Sequence, residues 1–518
     1  MQTRKRASTP GKGAELSDGD PRGSAGARPG AVALIIAIFA AWCWAAWANL
    51  YWYDLPWADT WASIAPAASG LPPLHINAPL LANFSGSDRV WGLHFPGVPL
   101  LYSVVFSCLR FRPELAVLMF MVLWAALAAS TGWLAFRVTG QGFWAVAAAA
   151  VILADRSLFA IAQAQRPEFI TALDLLLVWM ALADIWPLRG AGRHLGAGVA
   201  FLLLPLLHPV TLVFGAIACA FLVLRAMRRS QRDGMPVAAP CTGYAAGCAA
   251  LFLWFYLQPD AWSQFCDHAN ARRIAYTFGR MFFRSLQQFY FPVFTGYVLI
   301  GAALIAAVSA LIPWLLGRPQ ANRVTLVGAV ILVLCALIQQ NFQNGLYLTL
   351  YLPVCVVFAM GLLARLESAG ERGRWVRVLA CAAIAVHGVF WAGRTFRFFQ
   401  SGRPHIREEL TRIVEELPKG RRILIPEGLW EAAIRDPSRF DLNTLPQVAS
   451  PGRRRAYEAL VYGRLSAGDA VVVDRLQLNQ PVTDFLHGGW TKGKQFTHVF
   501  PGRTEWGYDM TVWIKAPN

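Results

Sequence analysis

Long uninterrupted apolar runs follow one another along this chain and leave it few folds to adopt. They cover residues 31–52, 114–137, 142–157, 169–187, 195–207, 209–226, 238–257, 289–317, 322–340, 347–365 and 374–395. A helix crossing a bilayer needs about 20 apolar residues, and most of these runs supply that. Of the 518 residues, 56% are hydrophobic and only 15% charged, against roughly a quarter charged in a soluble globular protein. A secreted globular domain and a single-pass receptor are both excluded. The runs are continuous rather than alternating, which argues against an outer-membrane barrel. The expected fold is an all-α polytopic membrane protein of about eleven spanning helices, followed by a small C-terminal α/β domain.

Charge sets the expected sidedness. The net charge is +17, which in a soluble protein would suggest nucleic acid. Here the basic residues cluster between apolar runs: Arg137; Arg189 and Arg193; Arg225, Arg228, Arg229 and Arg232; Arg318 and Arg323; Arg365, Arg372, Arg374 and Arg377. Eleven crossings starting from an inside N-terminus put every one of these connectors on the cytoplasmic face, as the positive-inside rule requires. No nucleic-acid partner is expected. The short run Gly97–Leu109 would invert all later loops if it crossed, so it is expected to lie along the outer interface. The nine Cys sit mostly inside apolar runs and show no metal-ligand spacing.

The chain divides accordingly. Residues 1–30 are a basic, disordered cytoplasmic tail, and the run beginning at Ala31 is too long for a cleavable signal. Residues 31–397 form the transmembrane domain, with outer loops 53–113, 155–168 and 258–288. Residues 398–518 form an outer-face, periplasmic domain. Its first helix is expected at His405–Leu417, with strands at Arg422–Ile425, Ala470–Val473 and Met510–Ile514. A bacterial inner-membrane location follows. There is no inverted repeat of the transporter kind.

The charges left unexplained gather in the outer loops. Loop one opens Tyr53-Asp54-Leu55-Pro56-Trp57-Ala58-Asp59-Thr60-Trp61, two carboxylates directly after the first span. Apolar walls raise a carboxylate pKa and make it a usable base; a solvated helix end with interfacial Trp gives the same pattern. Arg89 and His94 lie further along the same loop. Loop two carries Asp155-Arg156 and then Arg166-Pro167-Glu168. Charge at membrane depth is usually paired or functional: Arg166 and Glu168 either close the loop as an ion pair, or Glu168 or Asp155 serves a metal or an acceptor while Arg166 takes a phosphate. In loop three, Arg273, Arg280 and Arg284 fall near one helical face, at steps of seven and four. That face suits a phosphate headgroup or ordinary anionic lipid.

This order of features resembles the GT-C superfamily of integral-membrane glycosyltransferases, in particular the bacterial branch of protein O-mannosyltransferases and aminoarabinose lipid A transferases. An acid just after helix one (Asp54 or Asp59), the stretch Phe95-Pro96-Gly97-Val98-Pro99-Leu100-Leu101-Tyr102, the Arg166-Pro167-Glu168 cluster and an outer C-terminal domain carry the resemblance. Many relatives have adjacent acids in loop one, whereas here Thr60 follows Asp59. The resemblance implies a polyprenyl-phosphate sugar donor and Asp59 or Asp54 as the catalytic acid. It implies substrate contacts from His94, Arg89, Arg166, Glu168, Arg273, Arg280 and Arg284, with Arg280 and Arg284 on the leaving phosphate. A divalent cation on Asp59 and Glu168 is compatible with it. The acceptor is an envelope lipid, polysaccharide or protein. A transporter or flippase of a lipid-linked or anionic solute is the competing expectation, supported by Asp174 and Asp184 inside the fourth run. A catalytically inert scaffold displaying the tail domain is the third.

Overall fold

The structure is a computed structural model and describes residues 29–53, 64–65, 67–68, 95–155, 158, 167–228, 237–258, 261–262, 265–266, 308, 323–339, 350, 352–369, 373–400, 405–442, 463–476, 489–500 and 503–517. It falls into two units, Met1–Trp44 and Ala45–Asn518.

The apolar runs fold as helices. The first helix, α1 (Pro29–Trp47), ends in a wide π-type turn, Ala48–Tyr53. Next come α2 (Gly97–Leu109), α3 (Pro113–Thr139), α4 (Gly142–Ala154), α5 (Pro167–Ala183), α6 (Ala191–Leu207), α7 (Pro209–Arg228) and α8 (Ala238–Leu257). After a gap in the described residues follow α9 (Arg323–Gln339), α10 (Leu352–Ser368) and α11 (Gly373–Gln400). The expected span 289–317 lies outside the described residues apart from Val308. Among the described residues, α3 and α8 are long and apolar enough to cross a membrane, and several shorter apolar helices accompany them.

Local chemistry places the ends. Pro113 opens α3 at a position where a missing N–H costs nothing, and Gly140, at φ 70°, closes it in the left-handed region. Pro167 and Glu168 start α5 ahead of the expected residue 169, because proline and an acid both suit the first turn. Asp184, at φ 66°, ends α5 before the expected residue 187. Helix α2 keeps its expected bounds. At about 1.5 Å per residue its length falls well short of a bilayer core.

Helices α6 and α8 pack backbone to backbone. A Cβ at Gly243 would strike the carbonyl of Gly198, and one at Gly247 would strike the carbonyl of Leu202. Small residues allow this approach where no hydrophobic drive exists between helices in lipid.

The C-terminal part is a small α/β layer. Helix α12 (Ile406–Glu416) and the short α13 (Trp430–Ala433) accompany strands β1 (Ile423–Ile425), β2 (Phe440–Leu442), β3 (Ala470–Asp474), β4 (Trp490–Phe500) and β5 (Arg503–Lys515). The sheet order is β2-β1-β3-β5-β4, with β1 parallel to β2 and β3, and β5 antiparallel to β3 and β4. The parallel strands are buried throughout, as expected where both faces are covered. The sequence pattern omits β2 and β4. The first is only Phe-Asp-Leu; the second is an exposed, lysine-bearing edge with no apolar alternation.

One apolar cluster ties this layer to a single end of the helical bundle. It joins Ile64, Tyr102, Phe106, Ala116, Ile170, Leu207 and Trp254 to Ile406, Leu410, Leu429 and Trp430. The finishing turns of α6 and α8 and the opening turns of α3 and α5 therefore meet beside α2, under α12 and α13.

Candidate functional site

The best-defined part of this end is the root of loop one. The last carbonyls of a helix lack intrahelical partners, and here a side chain from far along the chain takes two of them. Arg407, on α12, donates from Nη1 to the carbonyl oxygens of Leu50 and Tyr51 at 2.9 and 2.5 Å. Its Nε and Nη2 donate to Glu431 of α13 at 2.6 and 3.2 Å, a two-pronged ion pair in which both side chains are nearly buried. The guanidinium carbon lies 4.8 Å from the centre of the Tyr51 ring. A cation at a helix C-terminus complements the helix dipole, and charged donors bond strongly.

Three further contacts fix the same turn. The Tyr51 hydroxyl donates to Glu114 at the start of α3 at 2.6 Å. The Asn49 amide donates to the Thr395 hydroxyl on α11 at 2.8 Å. Trp52 stacks on His405, ring centres 5.0 Å apart and planes within 3°. Loop one thus leaves the bundle from a turn held by α3, α11 and α12. Asp54 follows three residues after Tyr51.

Helix α2 forms an adjoining wall. Gly97 lies so close to α6 that a Cβ would press on the Leu206 carbonyl. Phe95 packs on Phe255 and Phe265 at 6.2 and 5.2 Å, with Trp262 stacked against Phe265. Tyr102 is completely buried, and its hydroxyl has no hydrogen-bond partner among the described residues. Burial pushes its phenol pKa upward. His208 sits buried at the α6–α7 junction, its Nδ1 accepting from the Val210 N–H at 3.2 Å.

The two acids of loop two separate in role. Asp155 ends α4, and its Oδ1 accepts the Leu158 N–H at 2.8 Å. Glu168 lies in the first turn of α5 at 1% exposure, where the helix dipole favours a carboxylate. Asp54, Asp59, Arg89, His94, Arg166, Arg273, Arg280 and Arg284 lie outside the described residues. Among the described residues no three His, Cys, Asp or Glu side chains come together as a metal cage. Asp174, within α5, is buried, and neither carboxylate oxygen has a hydrogen-bond partner among the described residues.

Sequence reasoning passed over Arg407, Glu431, Glu114 and Asn49. Arg407 and Leu50 are 357 positions apart, and on an amphipathic helix rich in charge Arg407 carries no local mark. A polar Asn inside an apolar run was the one signal available.

No protein-family model matches the chain, and no curated protein matches it by sequence. Solved structures do. Apo ArnT from Cupriavidus metallidurans superposes with a TM-score of 0.56 at 13% identity, covering 93% of this chain and 98% of that one. ArnT from the same organism bound to undecaprenyl phosphate gives 0.58 at 13% identity, with the same coverage. At this identity the likeness is one of fold, and it extends over nearly the whole of both chains: the protein has the fold that ArnT displays.

Proposed function

We propose that this chain is a polytopic inner-membrane glycosyltransferase that moves a sugar from a polyprenyl-phosphate donor to an envelope acceptor on the outer face. The observation that carries the reading is the gathering at one bundle end of the loop-one root, α2, the start of α5 and the α12–α13 layer. Likeness along nearly the full chain to ArnT, one structure of which binds undecaprenyl phosphate, supports the donor class. The outward ends of alternating spans, the cytoplasmic N-terminus and the periplasmic C-terminal layer follow from the basic connectors.

In this reading Asp59, or Asp54 beside it, takes the proton of an acceptor hydroxyl. The hydroxyl oxygen attacks the anomeric carbon as the bond from that carbon to the phosphate oxygen breaks. In-line displacement inverts the centre, and the polyprenyl phosphate leaves as an anion. Arg280 and Arg284, with Arg273, meet that developing charge in a site from which water is excluded. Arg166 and Glu168 order the acceptor side, and Arg89 and His94 of loop one contact substrate.

Mass spectrometry of envelope lipids and glycans tests the reading. Deleting the chain removes a sugar-bearing product, and Asp59→Asn or Asp54→Asn at normal expression abolishes it. Unaltered product in both variants would reject these acids. A second reading, transport of a lipid-linked or anionic solute, draws on Asp174, a buried carboxylate inside α5. It requires Asp174→Asn to stop solute movement while Asp59→Asn leaves it intact.

A further inference from the structure

We propose that Arg407 is a positioning residue for the loop-one acid, acting as a C-terminal cap that the α12–α13 layer lends to helix α1. This deepens the transferase reading and rests on it, since only there do Asp54 and Asp59 have a catalytic task.

The geometry departs from ordinary interdomain packing. A buried ion pair is a poor source of stability, because desolvation offsets most of its Coulomb gain, and apolar residues of similar size often do as well. What an apolar pair cannot do is bond peptide carbonyls. Glu431 engages Nε and Nη2 and so orients the guanidinium plane, and Nη1 is left aimed at Leu50 and Tyr51. Those carbonyls belong to the π-type winding Ala48–Tyr53 that closes α1. The Tyr51 ring lies over the same guanidinium, and the Tyr51 hydroxyl is held by Glu114. The carbonyl and the ring of residue 51 therefore both meet one cation, while Glu114 holds the hydroxyl. A rigid supporting shell of this kind is what holds a reacting group in place. Arg407 touches no reacting atom in this account and acts through the turn.

Hydrogen exchange read by mass spectrometry on the full-length protein in lipid nanodiscs tests the proposal without any substrate. Arg407→Gln is expected to speed exchange in peptides covering residues 48–60 by about ten- to a hundredfold, the factor matching one lost charge-assisted hydrogen bond. The decisive variant is the reciprocal exchange, Arg407→Glu with Glu431→Arg. It rebuilds the ion pair but moves the guanidinium away from the carbonyls. Protection of residues 406–416 and 423–442 should recover while residues 48–60 stay fast. Recovery of both regions together would overturn the proposal and leave Arg407 as glue, as would unchanged exchange in Arg407→Gln. If Arg407→Gln fails to fold, Arg407→Lys is read in the same way, because a single ammonium keeps the charge but cannot span both partners. A parallel assay of envelope product separates the two claims. Product that survives in Asp59→Asn and Asp54→Asn defeats the transferase reading, whereas the exchange pattern decides Arg407 by itself.

Discussion

The indole N–H of Trp144 donates to Oε2 of Glu367 at 2.9 Å, joining the start of α4 to the end of α10. Arg377 of α11 pairs with the other oxygen of Glu367, bonds Gln141 at 3.3 Å and lies over Phe143. Three helices are thus held at the bundle end away from loop one by a single carboxylate. Glu367→Ala leaves a fully buried indole N–H without an acceptor, at a cost of about 1–3 kcal/mol. Glu367→Gln keeps an acceptor and costs less. Thermal unfolding in detergent should rank wild type, Gln and Ala in that order, and an unshifted Ala variant would refute the argument.

Helices α6 and α8 allow a sharper test, because their contact is made of backbone. Gly243→Val and Gly247→Val push side chains into the carbonyls of Gly198 and Leu202. Overpacking of this sort costs about 1–3 kcal/mol or more. Gly388→Ala in α11 is the control: among the described residues nothing lies within 4 Å of an added Cβ, and alanine is the better helix former by up to about 1 kcal/mol. Denaturation midpoints should fall for the first two and hold or rise for the third.

Continuous apolar runs made the helices legible. The run 238–257 matches α8 to the residue, and α3 extends 114–137 by a residue or two at each end. The errors have local causes: hydropathy does not register the first-turn preference of Pro167 and Glu168, nor the left-handed Asp184 that ends α5. In the C-terminal layer, apolar β1 and β3 were readable, while the polar edge β4 was not. Of the outer-loop charges expected at the site, Asp155 and Glu168 fall among the described residues. Asp155 and Glu168 look equivalent in sequence, whereas in the structure Asp155 accepts the Leu158 N–H and Glu168 lies in the first turn of α5. The cap that Arg407 places on α1 joins residues too distant for any periodicity to link.

Tyr102 carries a prediction in pH. Its phenol is fully buried and its pKa is raised by that burial. In the unfolded chain a tyrosine ionises near pH 10, by the ordinary value of about 10. The folded state holds the proton to higher pH, so this group's contribution is fully present below the unfolded value and is lost as pH climbs through the raised one. Tyr102→Phe should flatten the alkaline fall in thermal midpoint relative to wild type while leaving the neutral midpoint little changed, because the hydroxyl has no partner among the described residues. An identical alkaline limb in both proteins would contradict this.

The acids of loop two separate structure from chemistry. Asp155 uses Oδ1 to accept a backbone N–H that turns the chain after α4. Asparagine retains that acceptor oxygen, so Asp155→Asn should keep both fold and product, whereas Asp155→Ala should lose about 0.5–2 kcal/mol, the range for a lost side-chain cap. Glu168 is buried at the head of α5, in line with the acceptor-side role given to it here. Glu168→Gln preserves its shape and one acceptor oxygen, removes the charge and turns the other oxygen into an NH2 donor. It should therefore leave the thermal midpoint within about 1 kcal/mol, since the first-turn dipole term is worth about 0.3–1 kcal/mol, while cutting envelope product at least tenfold. The comparison is made within one expression level, with product read by mass spectrometry and folding by the same thermal scan. A full yield from Glu168→Gln would refute its acceptor-side role, and a loss of product in Asp155→Asn with the fold intact would give that role to Asp155.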